Sequence, residues 1–274
     1  MKNKIINYIL GKFFEITRNL IMPNDCPVVK QVEVEGQKIL VLANEIVGSH
    51  IYFMRNFEMK DKLALIKRVR PDDVCLDIGA NVGYYTILMA KAAHNGEVHS
   101  FEPIPLNYHL LSASVQINRY KHVVVNQLAI GNKNTMTDFT ETIDSAFSSI
   151  KPTGRMSEIN NFEVMMRTVD DYVHKSKLNK VDVIKVDIEG AENLFLQGAK
   201  SLLVSRKKPR LIMLELFDEN LQAFGNTIDD LVDNLAEVGY SPFKACRNGE
   251  LKPFNKQDYN KEVNVFFMPD LGMQ

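Results

Sequence analysis

Two hydrophobic periods run along this chain, and the places where one gives way to the other outline a fold. Near the start, Ile5, Ile9, Phe13, Ile16 and Leu20 recur at helical spacing, with Lys2, Lys4, Lys12 and Arg18 among them. That spacing predicts an amphipathic helix. Lys12 and Glu15 interrupt the apolar run too early for a signal-peptide core, and no stretch reaches the roughly 18–20 apolar residues of a membrane span. A helix over residues 1–22 could dock on the domain, on a second copy in a homodimer, or on an anionic membrane face. Pro23 and Pro27 punctuate its end. Alternation then predicts short strands at 32–34, 39–42 and 50–53, and residues 59–69 read as a helix. From residue 74 onward, short buried-strand signals (74–76, 98–101, 123–128, 182–186, 210–216) alternate with helical ones (84–93, 106–118, 191–204, 227–238). Residues 132–163 are polar and irregular, with room for short strands, and 240–245 and 263–268 read as closing strands. Strands alternating with helices predict an α/β fold, a mostly parallel sheet with helices on both faces. The two closing strands have no helix between them, so one runs antiparallel. The pattern divides the chain into an N-terminal helix and short-strand extension, residues 1–58, and one α/β domain, residues 59–274.

Composition narrows the class. With 274 residues, 45 % apolar and 24 % charged, the chain is an ordinary globular one and not a disordered one. Lys and Arg number 33 against 34 Asp and Glu, a net charge of −1, which argues against a basic nucleic-acid binder. Cys26, Cys75 and Cys246 are too sparse for a disulfide framework or a zinc site. They fit a reducing, cytoplasmic setting, with membrane association through residues 1–22 as the variant.

Candidate chemistry begins after the first buried strand, at Asp77-Ile78-Gly79-Ala80-Asn81-Val82-Gly83. A strand-to-helix turn presents backbone N–H groups and a helix N-terminus to a ligand. Gly79 permits close backbone approach, Asn81 tolerates left-handed geometry, and Gly83 lets the helix pack closely on the strand. Asp77 ends its strand at the ligand-binding edge of such sheets. Asn81 stands where the dinucleotide fingerprint needs its second glycine. The spacing instead resembles motif I of class I S-adenosylmethionine methyltransferases. A tight turn without a ligand is the bland alternative. Glu102 ends the second strand, where an acceptor-only carboxylate suits the two hydroxyls of a ribose.

The fourth-strand segment, Lys185-Val186-Asp187-Ile188-Glu189-Gly190-Ala191-Glu192, carries three acids beyond a buried strand. Lys185 shares a strand face with Asp187 by the period of two. Buried carboxylates are costly unless paired, hydrogen-bonded or metal-bound. Glu189 and Glu192 could equally serve the N-terminus of the next helix.

LDIGANVGYYT, SFEP, NQLAIGN and IKVDIEGAE, in that order, resemble the FkbM family of S-adenosylmethionine-dependent methyltransferases over about residues 72–220. The resemblance implies a Rossmann-like class I sheet of seven strands, mostly parallel, with an antiparallel last strand. It implies O-methylation of a hydroxyl, often on a sugar or a polyketide, so the partner is a small-molecule or glycan acceptor and not nucleic acid. It places Asp77, Gly79, Asn81, Gly83, Glu102 and Ala129 around S-adenosylmethionine and Asp187 near the transferred methyl. As catalytic bases Asp187 comes first and Glu189 second, with Glu215 a third acid on the same edge. These acids could instead hold Mg²⁺, which the sequence does not predict. No His is well placed, although His50 could fold over the cleft. Residues 136–166, with Ser148, Ser149 and Arg155, are the expected acceptor wall, and Phe147 and Tyr84 would suit a glycan.

Rival readings are weaker. A nicotinamide oxidoreductase lacks its glycine fingerprint, and Pro242 spoils the helical relay spacing from Tyr240 to Lys244. A base methylator would carry Asn/Asp-Pro-Pro-aromatic where Asp187-Ile188-Glu189-Gly190 stands. A binding protein on the same fold, without turnover, is the remaining alternative.

Overall fold

A hairpin of β1 (Val29–Val34) and β2 (Gln37–Leu42) leads into α1 (Ile46–Met54) and α2 (Met59–Ile66). The computed structural model describes residues 26–255 and 262–270, so the helix expected over residues 1–22 lies outside it. There follow β3 (Val74–Ile78), α3 (Tyr84–Ala92), β4 (Glu97–Phe101), α4 (Pro105–Ile117), β5 (Val123–Asn126), β6 (Ala129–Ile130), β7 (Thr135–Thr142) and β8 (Glu158–Arg167). Then come α5 (Val169–Lys175), β9 (Val183–Val186), α6 (Glu192–Gly198), α7 (Lys200–Val204), β10 (Leu211–Phe217), α8 (Asp218–Ala223) and α9 (Ile228–Glu237). The chain closes with β11 (Tyr240–Ala245), β12 (Leu251–Pro253) and β13 (Glu262–Pro269).

The main sheet runs β12-β11-β13-β10-β9-β3-β4-β5. From β10 to β5 every neighbour is parallel, and β13 is antiparallel to both β10 and β11. This is the expected α/β arrangement of seven strands. An eighth, β12, is added at one edge by antiparallel pairing with β11. Both faces of the sheet are covered, which is why β3 is buried at every position and reads as a continuous run. Cys75, Val183 and Met213 face one core with β1, β2 and α1 to α4. Leu76, Ile184 and Ile212 face the other, with α5 to α9. Register sets Asp77 opposite Lys185, and Lys185 opposite Met213. By the period of two, Asp77, Lys185 and Glu215 therefore share one face at the carboxyl ends of adjacent strands. Among the described residues no helix is long and apolar enough to cross a membrane.

Several local expectations change. The strand expected at 50–53 is part of α1: Gly48 lies so close to β2 that a Cβ there would stand 2.0 Å from the Leu42 carbonyl oxygen. Ile51 is fully buried, so a helix satisfies the apolar run better than a strand. Residues 132–163 form much of a long hairpin, β7 with β8, which joins β6 in a separate sheet. Much of β8 is exposed on both faces, so no alternation betrays it. The helix expected over 191–204 breaks into α6 and α7 at Gly198, which packs on the Gly131 carbonyl. α5, capped by Thr168 through the Asp171 N–H, was not anticipated.

Candidate active site

The turn after β3 is shaped by three left-handed residues, Gly79 (φ 73°), Asn81 (φ 49°) and Gly83 (φ 91°). The Gly79 and Ala80 N–H groups both donate to the Phe101 carbonyl at 3.0 Å, which ties the turn to β4. A Cβ on Gly79 would sit 1.8 Å from the Asp187 carbonyl oxygen. The close approach foreseen for Gly79 is thus made by the end of β9. Gly83 corrects the sequence reading: a Cβ there would stand 2.3 Å from Leu111 Cδ1 of α4, so its absence makes room for that helix and not for the strand.

A cavity of about 270 Å³ opens above this turn, at the carboxyl ends of β3, β4, β9 and β10. Gly79, Asn81, Glu102 and Ala129 line it, as do Asp187, Glu189 and Glu215. Asp77 and Gly83 do not. Asp77 lies beneath the floor, fully buried, where it accepts a 2.5 Å hydrogen bond from Thr86 Oγ1 and stands 3.8 Å from Lys185 Nζ. Burial pushes its carboxyl up, against the pull of Lys185.

Glu102 is buried, and each of its oxygens accepts one backbone N–H, from Asn81 at 2.8 Å and from Ile104 at 2.9 Å. A carboxylate oxygen has two lone pairs, so each keeps acceptor capacity. Burial pushes the group up to about 7. Ala129 sits with Leu128, Ile130 and Phe101 on the apolar side of the cavity.

Opposite stand the acids. Asp187, Glu189 and Glu215 each bring a carboxylate oxygen within 4.8 Å of the others. Lys185, itself buried, donates to Asp187 Oδ2 at 3.1 Å and to the Gly79 carbonyl at 2.9 Å. Burial raises the Asp187 carboxyl, but Lys185 and a hydrogen bond from Glu215 outweigh it and hold Asp187 below the usual range. Burial, and then the neighbouring Asp187 charge, pushes Glu215 well above that range. Glu215 and Asp187 stand as hydrogen-bonded neighbours on this wall. Glu189 is raised by burial and by Asp187, with Arg155 opposing at 2.9 Å. The three acids are spaced for one divalent cation, yet Lys185 and Arg155 already supply the countercharge. Glu192 follows the helix-terminus alternative, accepting the Ile188 and Gly190 N–H groups.

The acceptor wall is partly as expected. Phe147, Ser148, Arg155 and Tyr84 line the cavity, whereas Ser149 turns away and donates to the Glu189 carbonyl at 3.2 Å. His50 is not in the lining; it packs edge-on against Phe57. Other participants escaped sequence reasoning. Ile46 and Val47 of α1 complete the wall. Tyr85 lines the cavity and donates its hydroxyl to Glu58 at 2.8 Å. Glu58, at φ 45°, is raised to about 7 by burial and by Asp187. No sequence signal marks it, because only the α1–α2 turn carries it to β9.

Comparison with known proteins is consistent with this geometry. The methyltransferase FkbM domain matches residues 77–242. The 2-O-methyltransferase NoeI of Sinorhizobium fredii is 26 % identical over 166 residues, 56 % of this chain and 66 % of that protein. The 31-O-demethyl-FK506 methyltransferase FkbM of Streptomyces tacrolimicus is 22 % identical over 223 residues, 68 % of this chain and 77 % of that protein. The hexuronic acid methyltransferase AglP of Haloferax volcanii is 26 % identical over 141 residues, 52 % of this chain and 56 % of that protein.

Proposed function

The chain belongs to the FkbM family of methyltransferases, and from that premise we propose that it is an S-adenosylmethionine-dependent O-methyltransferase acting on a hydroxyl of a sugar, glycan or secondary metabolite. The activities for which NoeI, FkbM and AglP are named support the reaction type and the acceptor class. The observation that carries the reading is the pairing of Glu102 with Asp187 across one cavity, above a turn with left-handed Gly79 and Asn81.

The residues present suit that cofactor. Glu102 has acceptor capacity for a pair of ribose hydroxyls, the Leu128–Ile130 side offers an apolar slot for a planar base, and the acidic wall favours a cation. When bound, S-adenosylmethionine supplies an electrophilic methyl on a good leaving group. The protein's task is then alignment and proton removal. Holding an acceptor oxygen in line at near-attack distance can supply about 7–11 kcal/mol of the barrier. Asp187, kept ionised by Lys185, receives the proton of the acceptor hydroxyl, and a positioned base contributes about 10²–10⁴-fold. Glu215, hydrogen-bonded to Asp187, helps to hold that carboxylate in place.

Calorimetric titration of S-adenosylmethionine into the protein and into Glu102→Ala tests the reading. The parent should bind, and the variant should lose at least tenfold in affinity, about 1.4 kcal/mol. A parent that does not bind overturns it and leaves a non-catalytic binding protein on the same fold.

A further inference from the structure

Arg155 comes from the β7–β8 connection, and its guanidinium lies between the rings of Phe147 and Phe217, 4.4 and 4.0 Å from their centroids. Its Nη1 donates to Glu189 Oε2 at 2.9 Å. The same oxygen accepts a second bond from Asn220 Nδ2. Glu189 Oε1 carries no hydrogen bond among the described residues, and neither do Nε and Nη2 of Arg155. Both side chains line the cavity. An unfilled acceptor and unfilled donors therefore sit side by side, beside the base. The aromatic rings hold the planar fork in a fixed orientation, which suits directed hydrogen bonding.

A hydroxyl both donates and accepts, so one hydroxyl can give its hydrogen to Glu189 Oε1 and take one from Arg155. Asp187 needs another hydroxyl, the one that reacts, and its carboxylate lies within 4.8 Å of that of Glu189. Two hydroxyls on neighbouring carbons satisfy both acids, whereas an isolated hydroxyl leaves one of them unserved. Charge points the same way. Four acids and two cations line the cavity, and the cations Lys185 and Arg155 are each already paired with an acid. No unpaired cation in that lining awaits an anionic acceptor.

We propose that the acceptor is a neutral vicinal diol, such as a hexopyranoside, with one hydroxyl held by Arg155 and Glu189 while its neighbour is methylated at Asp187. This rests on the methyl-transfer reading of the cavity. Arg155 is then a specificity residue, assigned by geometry and not by its charge alone.

Saturation-transfer NMR on protein saturated with S-adenosylhomocysteine tests it. The probes are the methyl glycosides of glucose, mannose, galactose and fucose, their 2-deoxy and 3-deoxy counterparts, and methyl glucuronide. At least one neutral glycoside should bind, and deleting one hydroxyl of the recognised pair should weaken it at least tenfold. Arg155→Met and Arg155→Lys should lose the same signal, the latter because it keeps the charge but not the planar fork. Both should retain the parent's melting temperature within a few degrees and bind S-adenosylhomocysteine within threefold of it. Binding of no glycoside, equal binding of the deoxy forms, persistence of the signal in both variants, or a stronger signal from the glucuronide would each overturn the proposal. Failure of S-adenosylhomocysteine itself to bind would overturn the methyl-transfer reading and this inference with it.

Discussion

The ammonium of Lys185 meets Asp187, Asp77 and the Gly79 carbonyl at the end of β9. It keeps one acid ionised in a place that would otherwise protonate it. Asp187→Asn preserves shape but removes the proton acceptor. Methyl transfer from labelled cofactor should fall by about 10²–10⁴-fold, with affinity for the uncharged thioether S-adenosylhomocysteine within threefold of the parent. An activity loss under tenfold would exclude Asp187 as the base. Glu192 illustrates the opposite case. It is buried, one of its oxygens has no hydrogen-bond partner, and burial raises it from 4.5 to about 7. The folded carboxyl then holds its proton where the unfolded one has lost it. Stability is therefore fully present below about 4.5 and is lost as pH rises toward 7. At about 1.4 kcal/mol per pKa unit, Glu192→Gln should gain about 3 kcal/mol on the parent between pH 5 and pH 8. Urea melts at the two values measure it, and a difference independent of pH would refute the assignment.

Elements differ in how plainly the chain announces them. β3, β9 and β10 are buried on both faces and read directly from their largely apolar runs. The glycine turn and the acid-rich end of β9 were legible too, because spacing alone places them at the sheet's ligand edge. The β7–β8 hairpin was not, since neither apolar alternation nor turn residues mark much of its length. The Arg155–Glu189 pair depends on that hairpin, so its partners were visible singly but not together. Residues 50–53 of α1 read as a strand because His50-Ile51-Tyr52-Phe53 suits either period when taken alone. Close packing decided the outcome. Gly48→Ala would push a methyl into the Leu42 carbonyl, a clash with rigid backbone. Overpacking of this kind costs about 1–3 kcal/mol, so the melting temperature should drop by several degrees. An unchanged melt would mean that α1 sits more loosely on β2 than described.

On the scale of the whole molecule, the pattern break near residue 58 is not a break in packing. Val32, Val34, Ile39, Val41, Leu42 and Ile51 are at most 1 % exposed and belong to the same cluster as α3 and α4. Six such side chains, at about 1.5–3 kcal/mol each, match the whole stability of a typical domain, about 5–15 kcal/mol. A chain starting at residue 59 should therefore show no cooperative thermal transition by circular dichroism. A sigmoidal melt within a few degrees of the parent would show that the α/β sheet stands without residues 26–58. The order of the sheet has a further effect, on synthesis. β13 lies between β10 and β11 although it is made after both. Before β13 is made, β10 lacks its neighbour on the side away from β9. Such edges invite pairing with other chains. Until residues 262–269 leave the ribosome, the growing chain is most exposed to aggregation at its own centre, and a chaperone would have to shield it there.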